Sequence, residues 1–307
     1  MNKLRKVGLT ALATTLVASS AYAGELGVSG SATLNYSGLN TVSNGNPWTM
    51  GNSVTFSGGG DLDNGMTVGV SYELDNDVMD DYKMTLGLGD GLGTITFSGD
   101  SVNAGGVDAV KDIVPTAYTA VYENTNTVDN GLATTSGRNT TGMWGYKNSF
   151  GDLAVNLGYN TKNTAVAGGD EMSIGLTYAM DGITVVAGRM EDDKQATNDT
   201  VGLKYTMGSI TAAFQRTDVN YDGSVGNDQS ADHYGISVAV NENLSVSAGR
   251  QAIDIDTTVD DETNTGFSAS YTMGSITLGG GFNDVESAGG AANADAEVTM
   301  LNIAFAF

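Results

Sequence analysis

Three short segments share one pattern and decide the fold: Tyr178-Ala-Met-Asp-Gly-Ile183, Tyr205-Thr-Met-Gly-Ser-Ile210 and Tyr271-Thr-Met-Gly-Ser-Ile276. Each has a Tyr-x-Met end, two turn residues that include a glycine, and an isoleucine that opens the next stretch. On both sides of these turns, apolar and polar residues alternate with a period of two. That period is typical of β-strands whose two faces meet different surroundings. The segments therefore predict three β-hairpins.

The same template extends along the chain and predicts sixteen strands. Connections from even to odd strands are tight, whereas those from odd to even strands are longer and rich in Asp, Asn, Gly and Ser. This asymmetry predicts an all-β fold, a closed antiparallel transmembrane β-barrel with short periplasmic turns and long extracellular loops. Sixteen strands enclose an aqueous lumen. The strands are expected near 25–37, 50–60, 65–75, 81–89, 93–100, 140–149, 152–161, 170–180, 182–191, 199–207, 209–218, 231–240, 243–253, 263–273, 275–284 and 296–307.

The N-terminus has the three parts of a secretory signal peptide. Lys3, Arg5 and Lys6 precede a short apolar stretch, and Ala21-Tyr-Ala23 supplies the small residues of a cleavage site. The apolar stretch is too short to span a bilayer as a helix. We therefore expect residues 1–23 to be removed and residues 24–307 to form one barrel domain.

Composition excludes several classes of function. The formal net charge is −23, and loss of the three N-terminal cations makes it more negative, so a nucleic-acid partner is not expected. The chain has no cysteine and a single histidine, His233, so neither a zinc site nor a Cys-His nucleophile can be built. We expect no enzymatic activity, no cofactor, and a solvated His233 at the barrel rim.

Alignment of the odd strands on their turns identifies positions near the outer lipid boundary. Six residues beyond the first apolar residue of a tilted strand correspond to a rise of about 15 Å. Aromatic residues there are expected to form a girdle. The arginines have two open placements: outward, against lipid phosphates or in a subunit interface, or inward through a bulge near the strand end. The residues at this distance along the odd strands, near the outer lipid boundary, are Tyr72, Tyr159, Arg189, Arg216, Arg250 and Phe282.

The C-terminus reads Leu301-Asn-Ile303-Ala-Phe305-Ala-Phe307. Alternating apolar residues that end in phenylalanine resemble the signal read by the outer-membrane assembly machinery, carried here by Phe305 and Phe307. Together with the export signal and sixteen strands, this resembles the trimeric general porins of Gram-negative bacteria. The resemblance implies a homotrimer in the outer membrane, surrounded by lipids, that lets small hydrophilic solutes and ions diffuse passively.

The resemblance also implies that the long connection after the fifth strand, about residues 101–139, folds inward and narrows the lumen. Apolar residues such as Ile113 and Val114 could pin it against the wall. Acids on this loop that face lysines on the wall would create a transverse field, and the excess of acid favours a weak preference for cations. Candidate loop residues are Asp108, Lys111, Asp112 and Glu123; candidate wall residues of polar-face parity are Lys83, Lys147 and Lys204.

Other interpretations remain open from the sequence. The acid pairs Asp80-Asp81, Asp192-Asp193 and Asp260-Asp261 could bind Ca²⁺ in outer loops, or could be simple solvated charges. A substrate-specific channel would share the barrel pattern. A secreted acidic adhesin should show a short fixed repeat, and none is present. A barrel hydrolase would need an acid or serine beside His233.

Overall fold

A computed structural model of the chain describes residues 26–39, 46–76, 78–100, 105–121, 142–161, 170–192, 196–223, 227–256, 258 and 260–307. The predicted signal peptide, residues 1–23, lies outside this part. The described residues contain no helix long and apolar enough to span a membrane. They form sixteen strands: β1 Gly27–Leu39, β2 Trp48–Asp61, β3 Thr67–Asp75, β4 Val78–Gly87, β5 Thr94–Asp100, β6 Met143–Phe150, β7 Leu153–Asn160, β8 Glu171–Met180, β9 Ile183–Asp192, β10 Ala196–Met207, β11 Ile210–Tyr221, β12 Gln229–Ala239, β13 Leu244–Ile255, β14 Glu262–Met273, β15 Ile276–Glu286 and β16 Ala296–Ala306.

Every strand pairs antiparallel with its neighbours in the chain, and β1 pairs with β16. The seam runs from Ser31 opposite Ala306 to Leu39 opposite Val298. The sheet therefore closes on itself and leaves no free edge. This confirms the predicted all-β, closed antiparallel barrel of sixteen strands.

Tight turns join the strands at one end of the barrel. Four of these turns have only two residues, at 151–152, 181–182, 208–209 and 274–275. In the second, Asp181 and Gly182 both have positive φ, 48° and 84°, the conformation that matches the twist of a two-residue hairpin. Asp and Gly adopt this conformation with little strain, which explains why the repeated segments turn there.

Two connections at the opposite end are shorter than expected. Only residues 76–77 separate β3 from β4, and only residues 193–195 separate β9 from β10. The sequence placed β4 and β10 three residues later. Both start earlier because pairing continues to the strand ends: Ala196 of β10 pairs with Asp192, and in β3 and β4 pairing continues past a register shift between Tyr72 and Leu74.

The two faces of the sheet differ as the alternation requires. In β10, Val201, Leu203 and Tyr205 point outward and are 54%, 50% and 47% exposed. The intervening Thr200 and Gly202 are buried on the inner side. In β10 the outer face is therefore apolar, and the inner face carries mostly polar residues and glycine.

The C-terminal residue completes the seam between the first and last strands. The amide of Gly30 donates to the carbonyl of Phe307 (2.8 Å), and the amide of Phe307 donates to the carbonyl of Gly30 (3.0 Å). The Phe307 ring lies over Gly30, since a Cβ added there would be 2.6 Å from its Cε2 atom. Gly30 therefore leaves the space in which the terminal ring rests.

We expect Gly30→Val to weaken closure of the barrel, because its side chain would displace the Phe307 ring and also meet the Ser53 carbonyl at 2.9 Å. Overpacking of this kind costs about 1–3 kcal/mol. The measurement is the temperature at which the folded band converts to the unfolded band in gel electrophoresis. Ala32→Val, an outward-facing change two residues along β1, is the control. Equal conversion temperatures would contradict the role of Gly30.

Candidate functional site

Residues 105–121, here called the inner segment, run inside the barrel against the wall formed by β7–β15. At its start, Gly106 lies beside the Ser173 hydroxyl of β8. At its end, the Ala120 carbonyl accepts a hydrogen bond from Asn283 Nδ2 of β15 (3.0 Å). The inner segment therefore crosses the wall from β7 to β15, and its first residue, Gly105, also approaches Gly145 of β6. The arc formed by β16 and β1–β5 is the part that these described residues do not contact in this way.

Apolar side chains pack the inner segment onto the wall. Val107 and Val110, in a single turn of 3₁₀ helix, are fully buried. They form one cluster with Ile113 and with Val186 and Met190 of β9. Burial of such side chains stabilises the packed state by about 1.5–3 kcal/mol each. Contact with β9 thus fixes the first half of the inner segment.

Polar wall side chains bind the backbone of its second half. The amide of Ala117 donates to Ser247 Oγ (2.8 Å), and the amide of Tyr118 donates to Ser268 Oγ (3.1 Å). The two hydroxyls also lie within hydrogen-bond distance of each other, at 2.8 Å. Backbone groups that the fold removes from water therefore have partners on the wall, as buried amides require.

The charged groups predicted on this loop are brought together, but they pair with each other. Lys111 Nζ lies 3.0 Å from Asp108 Oδ1 and 3.7 Å from Asp112 Oδ2. Burial lowers the pKa of Lys111, but attraction and hydrogen bonds from Asp108 and Asp112 outweigh this effect, so the pKa lies above its ordinary value. Lys111 is thus a local counter-ion for the two acids. Glu123 lies outside the described residues.

The three predicted wall lysines lie on the inner face of their strands. Lys83 of β4 belongs to the arc that the inner segment leaves uncovered, and Lys147 of β6 is exposed two residues from Gly145, which the start of the segment approaches. Lys204 of β10 lies two residues from Gly202, on which Ile113 rests. Within the described residues, the ion pairs of the inner segment are those inside it, and none joins it to a wall lysine.

The six residues predicted near the outer lipid boundary all lie on the outer face. Arg189 Nη1 binds both carboxylate oxygens of Asp199 at 3.0 Å. Arg216 binds Asp218 (2.9 Å) and both oxygens of Asp232 (3.2 Å). The strands that carry the arginines pair without a register shift, so no bulge turns them inward. The set comprises Tyr72, Tyr159, Arg189, Arg216, Arg250 and Phe282.

The expectation that His233 is solvated is wrong. Its side chain is on the inner face of β12 and only 2% exposed. It lines a small pocket together with Val114, Thr119 and Val121 of the inner segment. The burial of His233 could not be predicted from local sequence, because the residues that cover it lie more than a hundred positions away in the chain.

The acid pairs do not all lie in outer loops as expected. Asp80 and Asp81 belong to β4, and Asp192 ends β9, because strand pairing continues further than predicted. Asp260 and Asp261 precede β14, and Asp193 lies outside the described residues. Among the residues that the structure describes, no group of three or more His, Asp or Glu side chains could hold a metal ion.

A closed barrel with an apolar outer face, a polar inner face and an internal segment defines the class of channel-forming outer-membrane proteins. The family model for Gram-negative porins matches residues 8–241. The chain therefore belongs to the Gram-negative porin family. The comparison with curated proteins found no match.

Solved porins share the fold at low sequence identity. A porin refined at 1.8 Å resolution is 19% identical, with a TM-score of 0.69 over 92% of this chain and 100% of its own. The anion-selective porin from Comamonas acidovorans is 15% identical (TM-score 0.69, 92% and 99% covered). Salmonella typhi OmpF, solved with daunomycin, is 16% identical (TM-score 0.69, 92% and 97% covered). These similarities establish the architecture.

Proposed function

We propose that this chain, exported by residues 1–23, forms a water-filled channel in the outer membrane for passive diffusion of small hydrophilic solutes and ions. The observation that carries the proposal is the closed barrel with opposite faces: apolar outside and polar inside. Phe305 and Phe307 would serve as the assembly signal. Three copies would form the functional homotrimer, as the family resemblance suggests.

The uncovered arc of the inner wall supports a hydrated passage. Ser31 and Ser53 hydroxyls face each other at 3.0 Å, and Asn302 Nδ2 donates to Asn35 Oδ1 (2.6 Å). Hydroxyls and amides of this kind exchange hydrogen bonds readily with water. The inner face of the described strands carries no arginine, so nothing there favours one solute by bidentate charge pairing.

Planar-bilayer recording tests the proposal. We expect purified protein to give discrete steps of ohmic current that close in groups of three, and a gel mobility that heating changes. A secreted adhesin would give no current. A substrate-specific channel would show block by one member of a solute panel, whereas a general pore would show none. Absence of current from correctly folded protein would reject the channel.

The ion selectivity of this chain depends on its own charges, because the fold does not determine it. A porin of the same fold is described as anion-selective. Among the described strands, three of the six inner-face carboxylates (Glu171, Asp192 and Glu262) are buried, so the acids that can face water equal the inner-face lysines in number. The inner segment adds two acids against one lysine, which gives an excess of negative charge. An excess of negative charge along a narrow aqueous path raises the local concentration of cations. The inner-face acids are Asp61, Glu73, Asp75, Glu171, Asp192 and Glu262, and the lysines are Lys83, Lys147 and Lys204.

We expect a weak cation preference that depends on the inner segment. Combined Asp108→Asn and Asp112→Asn should lower it, because Lys111 then loses its counter-ions; Lys111→Met should raise it. Reversal potential in a salt gradient measures the change. Asp152→Asn with Asp181→Asn, an equal charge change in the turns, is the control. A wild-type preference for anions, or a reversal potential that no variant shifts, would contradict this proposal.

The outward arginines are proposed to meet lipid phosphates or a subunit interface. Arg189 and Arg216 are already paired with acids, whereas Arg250 has no ion-pair partner among the described residues. If they bind lipid, Arg250→Gln should weaken binding of anionic glycolipid more than Arg189→Gln, with conductance unchanged in both. Native mass spectrometry would measure the binding. A large change in conductance would reject the outward role.

A further inference from the structure

Glycines on the inner wall lie directly beneath the inner segment, and its side chains fill the space that their Cβ atoms would take. A Cβ at Gly235 would lie 2.5 Å from Val114 Cγ1. A Cβ at Gly202 would lie 2.5 Å from Ile113 Cδ1. Both distances are far below a van der Waals contact, so a Cβ atom at either glycine would not fit. Because glycine has no Cβ, the wall lies as close to the inner segment as it can. The same relation holds at Gly188, Gly279 and Gly281.

Gln215 of β11 holds the inner segment from the same wall. Its Oε1 accepts a hydrogen bond from the Ile113 amide (3.2 Å), and its Nε2 donates to the Val110 carbonyl (2.9 Å). Nε2 also donates to Thr200 Oγ1 (2.9 Å), which fixes the orientation of the amide group. Gln215 is fully buried, so loss of these bonds would leave backbone groups without partners.

We propose that Gln215 and the glycines at Gly202 and Gly235 are positioning residues that hold the inner segment at one fixed distance from the wall, and so set the width of the passage. The segment cannot approach the wall, because the glycines already give it van der Waals contact. It cannot move away without breaking the bonds to Gln215. The inner segment is therefore held at a fixed position against the wall. This inference rests on the proposed channel function.

A compensating pair of substitutions tests the fixed distance. Gly235→Ala should push the segment toward the pore axis and lower single-channel conductance. Adding Val114→Ala removes the clashing Cγ1 atom and should restore conductance, since the next contacts of the new Cβ are Pro115 O at 3.3 Å and Ala248 O at 3.6 Å. Gly51→Ala, also on the inner face, meets only the Thr33 hydroxyl and is the control. Folding of each variant is verified by heat-dependent gel mobility.

Two results would overturn the proposal: Gly235→Ala conducting like Gly51→Ala, or a double variant as poorly conducting as Gly235→Ala. A second variant keeps the test valid if Gly235→Ala does not fold. Gln215→Leu should leave the barrel folded but speed hydrogen exchange at the Ile113 amide by about tenfold or more, because its partner is lost. Unchanged exchange would overturn the role of Gln215.

The exchange measurement also separates this inference from the channel itself. If the wild-type protein carried no current, the proposed function would fail, and the width of a passage would lose its meaning. The exchange rate at Ile113 would still show whether Gln215 holds the segment to the wall. If current flows and exchange in Gln215→Leu is unchanged, only the positioning proposal fails.

Discussion

The need to pair backbone amides and carbonyls in the wall is the constraint on which this structure depends. Hydrocarbon offers no partner for an unpaired group, so the sheet must close, and here β1 meets β16 over nine residue pairs. In the closed barrel, one face of each strand meets lipid and the other meets the lumen. The parity of a residue then decides whether it meets lipid or lumen, and Arg216 and Lys204 differ in surroundings for that reason alone. Even the terminal residue obeys this constraint, since Phe307 pairs with Gly30 in both directions.

The strand count and the two faces could be predicted from sequence because both depend on local pattern. A period of two and a turn such as Asp181-Gly182 involve neighbours along the chain, and no register shift interrupts the strands around Arg189 and Arg216. The errors occurred at the starts of β4 and β10, which begin at Val78 and Ala196, three residues earlier than predicted. Polar residues there suit a strand end as well as a loop, so composition does not distinguish the two.

The position of the inner segment against the wall could not be predicted, because its contacts join residues that are distant in sequence. Gln215 is 102 residues from Ile113, and Ser268 is 150 residues from Tyr118. In sequence, both look like any small or polar residue of an inner face. The abundance of glycine argued against helices, but it did not predict where the inner segment packs. Glycines beneath the segment and glycines elsewhere on the wall occur in the same sequence pattern. The buried His233 was missed for the same reason.

The fold itself leaves ion selectivity undetermined. The inner residues that line a hydrated passage must be polar, but the sign of their charge is free, because a carboxylate and an ammonium group are both compatible with a hydrated face. Likeness to porins at 15–19% identity therefore carries no information about ions. In this chain the inner segment holds its own counter-ion, Lys111, 3.0 Å from Asp108. Such a pair produces a short-range field, which salt screens further over about 10 Å at 0.1 M. Along the wall, the carboxylates that are not buried equal the lysines in number, so the one surplus acid of the inner segment is expected to account for the weak selectivity of this channel.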